Sequence, residues 1–320
     1  LVIPFPVADD LTVLPRRDNV AGWIAGYDLV GLQTQADVAR CLEMVRAAPG
    51  AEILPDGRIK VGPRVAALRA LPIGIDAKGF TRAAQAGDGH ALAGIPSGAP
   101  LVVGVDRLDY TKGLPNRVRA FGTYLDRLPA NTVRPTFLQI TPRCRGDVRA
   151  YRQIRKEMER LTGRVNARHS DLGATPVRYI ERGIPRDILA PVFRAARVGL
   201  VTPMIDGMNL VAKEYVAAQD TVDPGVLILS RNAGAAEQMD AALLVNPYNV
   251  TGMAKALEEA MRMPLSERQA RHSALEKVVF GGAVQDWARI FLDRLRQTER
   301  PLPIPRGWAD SRDVAFDIAS

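Results

Sequence analysis

The chain of 320 residues carries 43 Lys and Arg against 35 Asp and Glu, a net charge of +8, with 47% hydrophobic residues. That length buries one large core or two of ordinary size, and arginine is spread without a basic tail or an aromatic-interleaved basic block, so a nucleic-acid partner is unsupported while anionic small substrates fit the charge. No apolar stretch reaches the ~18 residues that span a membrane and no signal peptide is evident, so a soluble cytoplasmic protein is expected.

Taken in order, Ile3-Pro-Phe-Pro6 reads as the end of an opening strand, forced into an extended exit by its prolines. The chain starts at Leu1 without a methionine, which suggests that the beginning of this strand and any preceding elements are absent. Residues 14–25 read as a short helix with Val20, Trp23 and Ile24 on one face. Residues 27–34 read as a buried strand and 36–47 as an amphipathic helix. Asp56-Gly57 within residues 51–61 is the strongest hairpin signal, and residues 71–75 read as a further short strand.

Residues 87–100 shift to Gly, Ala, Pro and Ser, the composition of a linker between domains. A second series follows, with strands expected at 101–105, 136–140, 177–180, 198–202, 226–229 and 243–245, separated by helical patterns. Such a βαβ series gives a parallel, doubly wound sheet. Residues 250–263 and 265–295 read as terminal helices, and Pro301 to Pro305 begins a loosely held tail.

The stretch that organises the second series is residues 198–220. A short β-branched run ends at Pro203, Asp206-Gly207 supplies a tight loop, and Leu210, Val211, Tyr215 and Val216 recur at helical spacing. Either Asn209 or Asp206 can cap this helix. Its N-terminus offers free N–H groups and a positive dipole end, a ready site for phosphate or diphosphate. Asp206 and Glu214 bracket the spot, and Lys213 points to another helix face. Taken alone, Asp206 as a cap and Glu214 as a solvated charge explain these residues equally well.

A second loop, Arg107-Leu-Asp-Tyr-Thr-Lys-Gly-Leu-Pro, follows the strand at 101–105. In open α/β sheets ligands sit beyond the carboxyl ends of the strands, so this loop and the Asp206 loop can face one crevice. Arg107 and Lys112 could clamp a diphosphate there, or Arg107 could pair locally with Asp109 and leave Lys112 solvated. Cys41 and Cys144 lack CxxC spacing and His90, His169 and His272 lack metal-ligand spacing, so no metal or cofactor is expected.

Together with Pro142-Arg-Cys-Arg-Gly-Asp147, Asp206-Gly-Met-Asn-Leu-Val-Ala-Lys-Glu-Tyr-Val-Ala-Ala-Gln219, Gly225-Val-Leu-Ile-Leu-Ser230, Gly234-Ala-Ala236 and Val245-Asn-Pro-Tyr248, these stretches resemble the trehalose-6-phosphate synthase family. Tyr27-Asp-Leu-Val-Gly-Leu-Gln-Thr34 and Pro72-Ile-Gly-Ile75 resemble the later part of that family's first domain. The resemblance implies an α/β protein of GT-B type with two Rossmann-like, doubly wound domains, the first incomplete. The expected division is 1–86 for the acceptor-side domain, 87–100 for the linker, 101–296 for the donor domain and 297–320 for the tail.

It further implies transfer of glucose from a nucleotide sugar of UDP-glucose type to glucose 6-phosphate, with retention, giving trehalose 6-phosphate. Arg107 and Lys112 would bind the donor diphosphate and Asp206 the transferred glucose. Asn209, Leu210 and Val211 would donate to sugar and phosphate, Glu214 would hold the ribose hydroxyls, and Arg145 would bind the acceptor phosphate. Two cations and a helix dipole can neutralise a departing diphosphate without a metal. Donor and acceptor are the implied partners, and a homo-oligomer is compatible with the sequence.

The chain departs from the family in two respects. The family's Gly-rich loop and an arginine, tyrosine, tryptophan and aspartate of the acceptor site would lie before Leu1, and Val2 stands where the family has a histidine. A valine cannot donate to a sugar hydroxyl, so slow or absent transfer by this chain is expected. A synthase with a glucosylglycerol-phosphate or validoxylamine-phosphate type of acceptor reaction, and an inactive nucleotide-sugar-binding fragment, are the alternatives.

Overall fold

The computed structural model describes residues 4–6, 20–96, 98–129, 132–142, 149–172 and 174–298. A four-stranded sheet comes first, from β1 (Leu29–Leu32), β2 (Ala51–Ile53), β3 (Ile59–Val61) and β4 (Arg64–Ala70), in the order β1-β4-β3-β2. β1 is parallel to β4, and the remaining pairs are antiparallel. Asp56 and Gly57 form the β2–β3 turn, where the Leu54 N–H donates to the Arg58 carbonyl at 2.8 Å. α1 (Val20–Ile24) and α2 (Gln35–Ala47) cover one face and bury Ile24, Cys41 and Val45 with Phe5, Leu32, Ile59 and Leu68. Thr34 caps α2 by accepting from the Asp37 N–H at 2.9 Å.

Three local expectations differ from this arrangement. Trp23 is exposed, and Ala21 rather than Trp23 shares the inward face of α1 with Ile24. Of the expected end of the opening strand, Pro4 to Pro6 belong to no strand, and Ile3 lies outside the described residues. The strand expected at 71–75 is extended chain, and the strand lies just before it, in β4. Pro72 lacks an N–H for a ladder, and side chains serve the segment instead. Gln33 Oε1 accepts from the Ile73 N–H at 3.0 Å, and Trp287 Nε1 donates to the Leu71 carbonyl at 3.0 Å.

The second sheet has six parallel strands: β5 (Leu101–Val105), β6 (Thr136–Ile140), β7 (Val177–Ile180), β8 (Val198–Val201), β9 (Val226–Ser230) and β10 (Leu243–Val245). Most of their residues are buried, as near-continuous apolar runs in a parallel sheet require. Their order is β7-β6-β5-β8-β9-β10, the doubly wound order in which the chain leaves the middle in both directions. α5 (Leu114–Leu125), α6 (Arg149–His169) and α9 (Val250–Arg262) bury Phe121, Met158 and Leu257 on one face. α3 (Ala77–Ala84), α7 (Arg186–Ala195), α8 (Leu210–Ala218) and α10 (Leu265–Gly281) bury Phe80, Phe193, Tyr215 and Leu275 on the other. The segment 87–100 contains α4 (Gly89–Ala93), capped by Asp88 and packed on α7.

One long helix is expected over 265–295, but the structure has two. α10 stops at Gly281, the chain turns through Gly282 and Ala283, and α11 (Val284–Arg296) crosses back to the smaller sheet. Glycine is a poor helix former, and tertiary packing rewards the turn. Trp287 and Phe291 stack and cover Leu29, Ala67 and Leu71. At the crossing a Cβ on Gly74 would stand 1.6 Å from the Gly282 carbonyl oxygen, so only glycine fits. Among the described residues no helix is long and apolar enough to cross a membrane.

Candidate active site

The sheet order reverses between β5 and β8, and the loops that leave their carboxyl ends flank that reversal. The first loop carries Arg107 and Lys112. Asp109 shapes it by accepting from both the Thr111 N–H and the Thr111 hydroxyl at 2.9 Å. Burial opposes ionisation of Asp109, but these donors and Tyr151 outweigh it and hold its carboxyl below the usual range.

The second loop is tied to the first through the backbone. The Met204 and Ile205 N–H groups both donate to the Thr111 carbonyl, at 2.7 and 3.3 Å. Lys112 Nζ lies 2.5 Å from Asp206 Oδ2, and both side chains are largely buried. Asp206 also accepts from Asn209 Nδ2 at 2.9 Å and from the Gly207 N–H at 3.0 Å. Arg107 is exposed and makes no ion pair with a described residue, so the local pairing with Asp109 does not occur.

Of the two candidate caps, Asn209 is the one used. It is the single non-glycine residue with positive φ among those described, at 70°, and its Oδ1 accepts from the Ala212 N–H. Leu210 and Val211 begin α8, so their N–H groups have no partner within the helix and point toward the loops. Four residues apart, Leu210 and Glu214 share a half-buried stripe of α8. Burial raises the Glu214 carboxyl above its ordinary value, and the Arg186 charge opposes this only in part.

Lys213 does point elsewhere, but it is no solvated charge. It is buried, and its Nζ donates to the Ile73 carbonyl at 2.9 Å and Gln238 Oε1 at 3.3 Å. Desolvation lowers it to about 8.

Between the two sheets lies a cleft of about 600 Å³, lined by Phe5, Asp37 and Arg40 on one side and by Asp206, Arg231, Glu237 and Tyr248 on the other. Arg40 is anchored by Asp37 at 2.5 Å and by the Phe5 carbonyl at 2.9 Å. The structure thus joins Lys112, Asp206 and Asn209 by direct bonds, with Arg107 on the same loop as Lys112 and Glu214 one turn into α8. Arg145 and Val2 lie outside the described residues. No group of three His, Cys, Asp or Glu suited to a metal ion occurs among the described residues.

Sequence reasoning missed Arg40, Arg231 and Arg117. The first two carried no local signal. Arg117 did, because it sits on the apolar face of α5 beside Leu114, Val118 and Phe121, where a charge is out of place.

The family described as glycosyltransferase family 20 matches residues 1–297. A trehalose-6-phosphate synthase of Sodalis glossinidius is 42% identical over 299 residues, covering 93% of this chain and 64% of its own length. The chain therefore spans less than two thirds of that relative. An α,α-trehalose-phosphate synthase (UDP-forming) of Burkholderia xenovorans, solved in complex with glucose-6-phosphate, superposes with a TM-score of 0.87 at 40% identity, over 92% of this chain and 66% of that one. A trehalose-6-phosphate synthase studied with bisubstrate glycomimetics, in work on glycosyl transfer with retention, superposes with a TM-score of 0.87 at 38% identity, over 92% and 67%. The α/β architecture is that of the GT-B trehalose-phosphate synthases, and this chain belongs to glycosyltransferase family 20.

Proposed function

We propose that this chain carries the donor half of a retaining glucosyltransferase that moves glucose from UDP-glucose to glucose 6-phosphate, giving trehalose 6-phosphate. One observation carries the reading: at the reversal point between β5 and β8, Lys112, on the loop that also carries Arg107, is paired with Asp206 just before the start of α8. A nucleoside diphosphate leaves only if its developing charge is neutralised. Arg107, the first-turn N–H groups of α8 and Lys112, which the diphosphate shares with Asp206, supply that neutralisation in the bound complex.

In this reading Asp206 accepts from hydroxyls of the transferred glucose, and Asn209, Leu210 and Val211 hold the sugar and phosphate from the helix start. Glu214 accepts from the ribose hydroxyls, and Arg145 binds the acceptor phosphate. Support for the acceptor comes from the Burkholderia relative bound to glucose-6-phosphate. The cleft of about 600 Å³ opens onto Asp206 from the smaller sheet, where a second sugar would enter. Retention is supported by the bisubstrate study of a 38% identical relative.

The reading is tested by incubating the chain with UDP-glucose and glucose 6-phosphate and identifying the product by NMR. The α,α-linked disaccharide phosphate is expected to form slowly at most, with Val2 in place of the family's histidine, and what forms is expected to be lost in Arg107→Ala and Lys112→Ala. Product formed equally by those variants would remove the roles assigned to them.

A further inference from the structure

Beneath the two loops lies a buried charge cluster that the donor chemistry does not use. The Arg117 side chain, on the first turn of α5, is fully buried and touches the carboxyl ends of three strands. Its Nη1 donates to Asp106 Oδ2 at 2.6 Å and to Gln139 Oε1 at 3.1 Å, and its Nε donates to Thr202 Oγ1 at 3.1 Å. Asp106 follows β5, Gln139 lies in β6 and Thr202 follows β8. The remaining arm reaches up, with Nη2 3.4 Å from the Lys112 carbonyl.

β5 is shaped to admit this guanidinium. A Cβ on Gly104 would stand 2.8 Å from Arg117 Nη1 and 2.6 Å from Gln139 Oε1. A glycine inside a fully buried strand otherwise weakens it, so its presence marks a close approach. Burial raises the Asp106 carboxyl, while the Arg117 and Lys112 charges pull it the other way.

A buried ion pair is weak evidence for stability, because desolvating both charges offsets most of their attraction. Its better-attested use is to fix geometry. We infer that Arg117 is a positioning residue for the donor diphosphate: its fork ties the Lys112 end of the first loop to the base of the second and holds the Lys112 backbone, and hence its ammonium, in register with Asp206. The inference rests on the proposed donor reading.

The test compares the native chain with the double variant Asp106→Asn/Arg117→Met, which removes both charges and leaves no uncompensated ion in the core. UDP and uridine affinities are measured by calorimetry, and amide hydrogen exchange is followed through residues 106–113 and 202–207. In the native chain the diphosphate is expected to tighten binding about tenfold or more over uridine, as two charge-assisted contacts allow. In the double variant that preference is expected to fall to about threefold or less, with uridine affinity unchanged and exchange in the two loops about tenfold faster.

A merely structural Arg117 would instead lower the melting midpoint and weaken UDP and uridine alike, and that result overturns the inference. So does native exchange in the two loops of the variant. If the double variant fails to fold, Arg117→Lys carries the same comparison, since it keeps the charge against Asp106 and loses the fork. A native chain that shows no preference for UDP over uridine contradicts the donor reading. The exchange measurement then decides separately whether Arg117 orders the loops.

Discussion

Lys112 Nζ and Asp206 Oδ2 lie 2.5 Å apart, so the cation assigned to the donor diphosphate is already bound by the carboxylate assigned to the donor glucose. The pair draws the two loops together and also sets up a competition, since an incoming diphosphate must share Lys112 with Asp206. Removing the competitor leaves the cation to the phosphate. Asp206→Asn is expected to bind UDP about threefold to tenfold more tightly than the native chain while losing glucosyl transfer. Lys112→Met is expected to bind UDP about tenfold or more weakly. Calorimetry on both variants checks the opposite signs, and equal weakening by both would show that the pair merely holds the loops.

Glu214 links stability and its proposed ribose-binding role in opposite directions. Burial raises its carboxyl above the reference value of 4.5, so the protonated form is favoured in the folded state. The sign follows: its stabilising contribution is present below pH 4.5 and is lost as pH rises through the folded value. At neutral pH the charged side chain is therefore a liability. Glu214→Gln is expected to raise the thermal midpoint at pH 7 by a few degrees and to give no gain at pH 4. The same change is expected to weaken uridine binding about tenfold, because the amide accepts less strongly from the ribose hydroxyls. Melting curves at both pH values and a uridine titration decide the point.

The parallel sheet was legible because its strands are bounded apolar runs. Leu101 to Val105 and Val198 to Val201 are buried throughout, so period-two alternation was not needed to find them. The Asp206 loop was legible through Asp-Gly and the helical spacing that begins at Leu210. The smaller sheet was harder to read. Arg64 and Arg69 break the apolar pattern of β4, whereas Leu71, Ile73 and Ile75 imitate a strand although their backbone is held by Gln33, Lys213 and Trp287. The reversal at Gly282 was missed because the reward for turning, the cover that Trp287 and Phe291 give the smaller sheet, is more than 200 residues away in the chain. In the site, the helix start at Leu210 could be read from sequence, whereas the pairing of Lys112 with Asp206 depends on which strands are neighbours.

Lys213 joins the two sheets, since its helix belongs to the parallel sheet and its ammonium donates to Ile73 beside the smaller one. Desolvation lowers it to about 8 from a reference of 10.5. Between those values the unfolded chain holds a proton that the folded chain has released, so stability rises with pH across that window. The native chain minus Lys213→Met should therefore show an unfolding free energy that climbs from about pH 8 to pH 10.5, by at most on the order of 3 kcal/mol. Parallel denaturant titrations measure the difference directly, and a flat difference would place Lys213 in solvent.

The return of α11 is held at a backbone crossing. Gly74→Ala sets a Cβ against the Gly282 carbonyl oxygen, 1.6 Å away before relaxation. The substitution is expected to destabilise the chain by about 1–3 kcal/mol, as overpacking does. Because α11 covers Leu29, Ala67 and Leu71, exchange and proteolysis should increase first in residues 282–298 and along β1. Exchange by mass spectrometry checks this, and uniform loosening of the whole chain would contradict the crossing's role.

The central claim is that the crevice between β5 and β8 holds a nucleotide-sugar diphosphate. Titrating the native chain and Arg107→Ala with UDP and with UDP-glucose tests it most directly, with a melting curve on each sample to establish that both are folded. Arg107 is exposed and pairs with no described residue, so its loss should leave the fold intact. The native chain is expected to bind both ligands and the variant to bind each about tenfold or more weakly at an unchanged midpoint. Folded protein that binds neither ligand, or a variant that binds both as well as the native chain does, would contradict it.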